Sequence, residues 1–109
     1  MKRCILVGSR TNKDKETGDE LLFLTLCNLP RRMKNGGLWN PKSNEMLVTS
    51  CINKARKPDD YDKFIKLLPG TLFDVTYGVN EFTGKVVVAA LNLVAGSDNI
   101  FDEKTLFDW

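Results

Sequence analysis

A chain of 109 residues, 42% of them hydrophobic, has the length of one domain and enough apolar side chain to build a core, which excludes a disordered chain. No apolar run approaches the roughly 20 residues that span a bilayer, so no membrane helix is expected. The net charge of +2 implies no partner by itself.

Arg3 to Arg10 predicts a first strand, with Gly8 marking a bend or bulge. It is too short for a secretory apolar region and no small-residue cleavage site follows, so a cytoplasmic location is expected. The charged stretch Asn12 to Asp19, with Thr17-Gly18, reads as a turn. Glu20 to Leu29 is an almost unbroken apolar run, and its Asn28-Leu29-Pro30 ending favours a second strand over a helix. Pro30 to Asn44 is the longest connection, punctuated by Asn35-Gly36-Gly37 and Asn40-Pro41. In the third strand, Glu45 to Asn53, alternation puts Met46, Val48, Ser50 and Ile52 on one face.

One helix follows. Pro58-Asp59-Asp60 offers a cap and an acidic first turn, Tyr61, Phe64, Ile65 and Leu68 recur on one face, and Pro69-Gly70 stops it. Thr71 to Val79 is a fourth strand with Phe73, Val75 and Tyr77 on one face. Asn80 to Gly84 is a hairpin turn, and Lys85 to Val94 is a fifth strand, apolar on both faces and therefore expected to be central.

The fold class expected is mainly β. The order β-β-β-α-β-β, with one helix between strands three and four, is that of the five-stranded OB-fold barrel, which binds oligonucleotides on its strand face and loops. Residues 1–97 form the barrel domain and residues 98–109, after a Gly96-Ser97 break, an acidic aromatic tail.

Catalysis is not expected. There is no histidine, hence no common general base or partner for a nucleophile, and no phosphate-binding or nucleophile-elbow motif. Cys4, Cys27 and Cys51 are an odd number of dispersed cysteines, read as small apolar strand residues of a reduced protein. They have no zinc-ligand spacing, so neither a metal nor another cofactor is expected. Asp59-Asp60 and Asp102-Glu103 are explained by helix capping and solvation.

Charge is segregated along the chain. Arg31, Arg32, Lys34, Lys42, Lys54, Arg56 and Lys57 stand against Glu45 alone, an excess of six cations between residues 31 and 57. From Asp98 to Trp109, four acids stand against Lys104. Arg31, Arg32 and Lys34 leave strand two while Lys54, Arg56 and Lys57 leave strand three, so an antiparallel pair places the groups at opposite ends, with Lys42 near the first. Such a cationic track suits the phosphate backbone of a single strand. Bases also need aromatic platforms. Trp39, in the basic loop, is a candidate for stacking or for covering one end of the barrel, and Tyr77 and Phe82 are the next candidates. Phe23, Phe64 and Phe73 lie in apolar runs and read as core.

The strand order, the Arg-rich exit of strand two, Pro69-Gly70-Thr71 leading into Phe73-Asp74-Val75-Thr76-Tyr77, and the acidic aromatic tail together resemble single-stranded DNA-binding proteins, in particular the short versions of phages and conjugative elements. The resemblance implies a non-enzymatic protein that coats single-stranded DNA during replication, recombination or transfer of a mobile element. It also implies a tail (Asp98, Phe101, Asp102, Phe107, Asp108, Trp109) that recruits replication or recombination proteins. This tail lacks the long Gly/Pro/Gln linker and the terminal Pro-Phe pair of the bacterial pattern. Two other roles suit these residues: lying across the protein's own basic track, or packing against the barrel. Self-association through the apolar strands one and five is expected. An RNA-binding module and a protein-interaction subunit with a basic loop remain as alternatives.

Overall fold

The computed structural model describes residues 2–95 and 103–109. Five antiparallel strands form one sheet: β1 (Lys2–Lys13), β2 (Glu20–Asn28), β5 (Leu47–Asn53), β6 (Leu72–Val79) and β7 (Val86–Ala95). Their order across the sheet is β5-β2-β1-β6-β7. Two short strands, β3 (Arg31–Arg32) and β4 (Leu38–Trp39), pair with each other in a separate hairpin. Helix α1 (Pro58–Phe64) lies between β5 and β6, and α2 (Glu103–Phe107) lies near the end of the chain. None of these helices is long and apolar enough to cross a membrane.

Strand β2 shows why the sequence folds this way. Leu22, Leu24, Leu26 and Asn28 are buried, while the residues between them are half-buried. That alternation turns one leucine row into the core. β1 adds Cys4 and Leu6, β5 adds Ile52, and β6 adds Leu72, Phe73 and Val75. Tyr61 and Phe64 of α1 close over this face, the Phe64 ring standing edge-on to Phe73 at 5.8 Å and 69°.

The bulge anticipated at Gly8 falls between Leu6 and Gly8 in the β1–β2 register. It coincides with the end of β1–β6 pairing, which covers only Lys2 to Ile5. Beyond it, β1 runs on to Lys13 with β2 alone, and β6–β7 diverges from β2–β5. The sheet is therefore not closed into a barrel. No ladder joins β5 to β7 among the described residues.

Four other expectations change. Lys85–Val94 was expected to be central, yet β7 is an edge strand with Val86, Val87, Leu93 and Val94 exposed. β1, expected to offer an edge for self-association, is the middle strand of the sheet. The long connection after Pro30 holds the β3–β4 hairpin, whose turn uses Gly36 at φ 86° and a Gly36 amide bonded to Met33 O. Helix α1 ends at Phe64, leaving Ile65 39% and Leu68 64% exposed. It has no side-chain cap; Pro58 takes the first turn instead. The shortening has a cause in the sheet. The chain must turn through Gly70, at φ 95°, so that the Gly70 amide reaches Leu6 O and the Leu6 amide reaches Thr71 O.

Phe73→Ala should lower unfolding free energy by about 3–5 kcal/mol in urea denaturation, because the ring is fully enclosed. Leu68→Ala should change it by less than about 0.5 kcal/mol, the value for an exposed position. A large loss at Leu68 would mean that the helix continues past Phe64.

Candidate nucleic-acid interface

Where a closed barrel would join β5 to β7, the molecule has a trough made of three contiguous grooves. The first, of about 670 Å³, lies at the β3–β4 hairpin and is lined by Lys2, Arg31, Arg32, Lys34, Trp39 and Trp109 among others. The second, about 790 Å³, shares Lys2 and Trp39 with it and runs between Val48–Cys51 of β5 and Val86–Val88 of β7, with Asn28 and Tyr77 in its wall. The third, about 710 Å³, shares Ser50, Cys51 and Val88 with the second and ends at Arg56, Lys57 and Lys63 beside α1. Cations line both ends, with Asp14 and Asp60 among those of the third groove, and the middle is polar and apolar apart from Glu45 and the shared Lys2. Because β5 and β7 border this trough, their free edges face it.

The antiparallel pairing of β2 with β5 produces this separation of charge. Arg31 and Arg32 follow the end of β2 opposite Leu47, while Arg56 and Lys57 follow Asn53, the partner of Leu21. The β3–β4 register sets Arg31 opposite Trp39, so cation and indole share one small hairpin. Lys2 Nζ lies 3.7 Å from the Trp39 ring centroid, within cation–π range. Trp39 is half-buried.

Tyr77 is held from behind. Its hydroxyl donates to Asn28 Oδ1 at 3.0 Å, and the Cys4 thiol donates to the same oxygen at 2.9 Å. Asn28 Nδ2 donates in turn to Glu45 O. A register shift between Thr76 and Tyr77 re-aims the side chain at this point. Burial, offset in part by the Tyr77 hydrogen bond, pushes the Cys4 thiol from 9.0 up to about 11. Burial, reinforced by the neighbouring Cys4, pushes the Tyr77 phenol from 10.0 up to about 12. Tyr77 therefore keeps its proton and its donor bond throughout the physiological range.

Of the residues singled out in the sequence, the trough brings together Arg31, Arg32, Lys34, Trp39, Tyr77, Arg56 and Lys57. Lys42, Lys54 and Phe82 lie outside its lining. Lys54 pairs with Glu20 Oε2 at 3.3 Å, and that bond raises its pKa. Phe82 projects from the β6–β7 turn, 98% exposed, on a loop fixed by Phe82 and Thr83 amides donating to Asn80 Oδ1. All three cysteines lie in strands as expected, Cys4 buried in β1, Cys27 half-buried in β2 and Cys51 exposed in β5 along the trough.

The tail is docked over residues 103–109. Arg3 Nη1 donates to Thr105 O at 2.7 Å, Trp109 Nε1 donates to Pro30 O at 3.1 Å, and Arg32 pairs with Asp108 at 3.3 Å. Phe107 is half-buried. This part of the tail lies against the protein itself, on Arg3 and Pro30 and also on Arg31 and Arg32 of the basic track. Asp98, Phe101 and Asp102 lie outside the described residues.

Lys2, Lys63 and Asn28 went unnoticed in the sequence. The signal for Lys2 was there: it shares the strand parity of Cys4 and Leu6, both core residues, so it points to the concave side. Asn28 carried the same signal as the fourth member of the inward row of β2. Among the described residues, no group of three or more His, Cys, Asp or Glu side chains is placed to hold a metal ion.

No protein family, curated protein or solved structure matches this chain.

The raised pKa values of Cys4 and Tyr77 fix the sign of an alkaline transition. The folded state holds these protons more tightly than the unfolded chain, so their contribution to stability is complete below about pH 9 and is lost as pH rises through about 11 and then 12. The melting temperature should be flat from neutral pH to about 8.5 and should fall beyond 9. In Tyr77→Phe, the part of the fall above pH 10 should be smaller.

Proposed function

We propose that this protein is an OB-type, non-enzymatic module that binds single-stranded DNA without sequence preference, with the strand lying in the trough between β5 and β7. The observation that carries this reading is the continuity of three grooves, the first lined by cations without an acid, Trp39 where the first two meet, a middle whose one acid is Glu45, and a far end where Arg56, Lys57 and Lys63 outnumber Asp14 and Asp60. Phosphates need fixed cations, and unpaired bases need apolar and aromatic surface; the trough supplies both along one path.

The topology supports the OB part of the reading. Taken along the sheet, the long strands run third, second, first, fourth, fifth in sequence order, with α1 between the third and fourth. A Greek-key barrel that is only partly open at the junction of its outer strands has this succession. Duplex DNA suits the site less well, because its bases are already stacked and cannot reach the rings in the trough. Trp39 offers its ring to a base while Lys2 holds a position near the same ring for a phosphate.

The experiment is a competition between oligo-dT, oligo-U and duplex DNA for the intact chain. Oligo-dT should bind at least as well as oligo-U and well above duplex. Equal affinity for single and double strands would reduce the site to plain electrostatics, and preference for oligo-U would make it an RNA-binding module. With about six to eight phosphates contacted, log K should fall against log salt with a slope of roughly −4 to −6. Replacing Arg31 and Arg56 by Ala should make that slope shallower by about one to two. Trp39→Ala should cost about 1–3 kcal/mol of oligo-dT binding, read by fluorescence anisotropy of a labelled oligonucleotide.

A further inference from the structure

The proposed function leaves Trp109 without a role, although its ring borders the same groove as Trp39. Three contacts hold the segment that carries it. Arg3 grips Asp74 with a two-pronged ion pair, Nε to Oδ1 at 2.9 Å and Nη2 to Oδ2 at 3.0 Å, and its remaining nitrogen Nη1 holds Thr105 O at 2.7 Å. Asp108 pairs with Arg32 at 3.3 Å, and the indole N–H of Trp109 is spent on Pro30 O at 3.1 Å. With the indole's only polar atom committed, the Trp109 side chain has an apolar ring left to offer the groove. The Arg31 guanidinium lies 5.4 Å from that ring's centroid. Each indole of the groove thus has a cation of its own, Lys2 at Trp39 and Arg31 at Trp109.

An acidic segment that merely blocked the groove would put carboxylates into it. The reverse is found: the lining contains Lys2, Arg31, Arg32 and Lys34 and no acid, and the docked segment contributes only an indole. Asp108 meets Arg32 and does not line the groove.

We infer that Trp109 is a second base-stacking residue, and that the docked end of the chain is a wall of the nucleic-acid groove, retained when the strand binds. This rests on the reading of the trough as a single-strand site. A base enters the first groove against the Trp109 ring, and Arg31, beside that ring, takes the adjoining phosphate.

The chain has two tryptophans, so Trp39→Phe leaves Trp109 as the only indole emitter. Titrating Trp39→Phe with oligo-dT should quench Trp109 emission without a red shift, as a base stacks on a ring that stays docked. Trp109→Ala should weaken oligo-dT binding about tenfold or more while the melting temperature moves by no more than a few degrees. Trp109→Phe, which keeps a ring and loses the bond to Pro30, should retain most of the affinity and covers the case in which Trp109→Ala fails to fold. A red shift without quenching, together with equal or tighter binding by Trp109→Ala, would mean that the strand displaces the segment and would overturn the inference. So would unaltered emission with undiminished binding. Failure of the unaltered chain to bind oligo-dT would instead remove the single-strand reading itself, a result distinct from a binding protein whose Trp109 is silent.

Discussion

Everything in this molecule hangs on β1 passing from one neighbour to the other, with both ladders present only where they overlap at Cys4 and Ile5. From Lys2 to Ile5 it bonds to β6, and from Cys4 onward it bonds to β2, with the bulge between Leu6 and Gly8 falling where the first ladder stops. Had both ladders run the full length, the five strands would form an ordinary twisted sheet with α1 on one face. Because one stops, β6–β7 and β2–β5 part company, and the concave space between them stays open on the side opposite β1. The bonds of Leu6 to Gly70 and Thr71 hold the point of divergence. The trough is thus a product of backbone pairing, and the side chains decorate a shape that hydrogen bonds have already set.

The same N-terminal stretch organises the charges. Lys2 and Arg3 are adjacent and point to opposite faces, so one joins Trp39 in the trough while the other locks Asp74 and reaches Thr105. The Arg3–Asp74 pair is largely shielded from solvent and bonded at both oxygens, geometry that lifts it above the low value of a surface ion pair. Lys54 and Glu20, both well exposed, illustrate the weaker kind. A cation that is matched by a carboxylate in this way holds the fold together. Lys34 and Lys57, at the two ends of the trough, have charge to offer a ligand.

Much of this was legible in the residues. Alternation in two segments and apolar runs bounded by turn residues in the others located all five long strands within a few positions, and the glycine at position 8 marked the bulge. The antiparallel logic of β2 and β5 placed the two cation groups at opposite ends before any contact was known. What escaped notice depends on relations between distant segments. The apolar character of β7 suggested enclosure on two sides, yet it has one neighbour, because a free edge is a property of topology and leaves no local mark. The extent of α1 was overestimated since Ile65 and Leu68 keep the helical spacing, while the demand for a turn at Gly70 comes from β1, about sixty residues earlier. The Trp109 contact joins residues 79 apart and has no periodic signature.

The pairing of Arg3 with Asp74, across 71 residues, has a consequence for vectorial synthesis. As the chain emerges from the ribosome, β1, β2 and β5 are complete by Asn53 and can zip into a three-stranded meander. That meander presents Leu22, Leu24, Leu26 and Ile52 as a bare apolar row, since the rings that cover it arrive with Tyr61, Phe64 and Phe73. For the time needed to translate some twenty further residues, on the order of one to four seconds, the nascent protein is a sticky half-sheet with an uncharged edge at β5. Its yield in a cell therefore depends on how that interval is handled, by translation speed through codons 54–73 or by a chaperone that recognises a leucine-rich strand, quite apart from how stable the finished structure is.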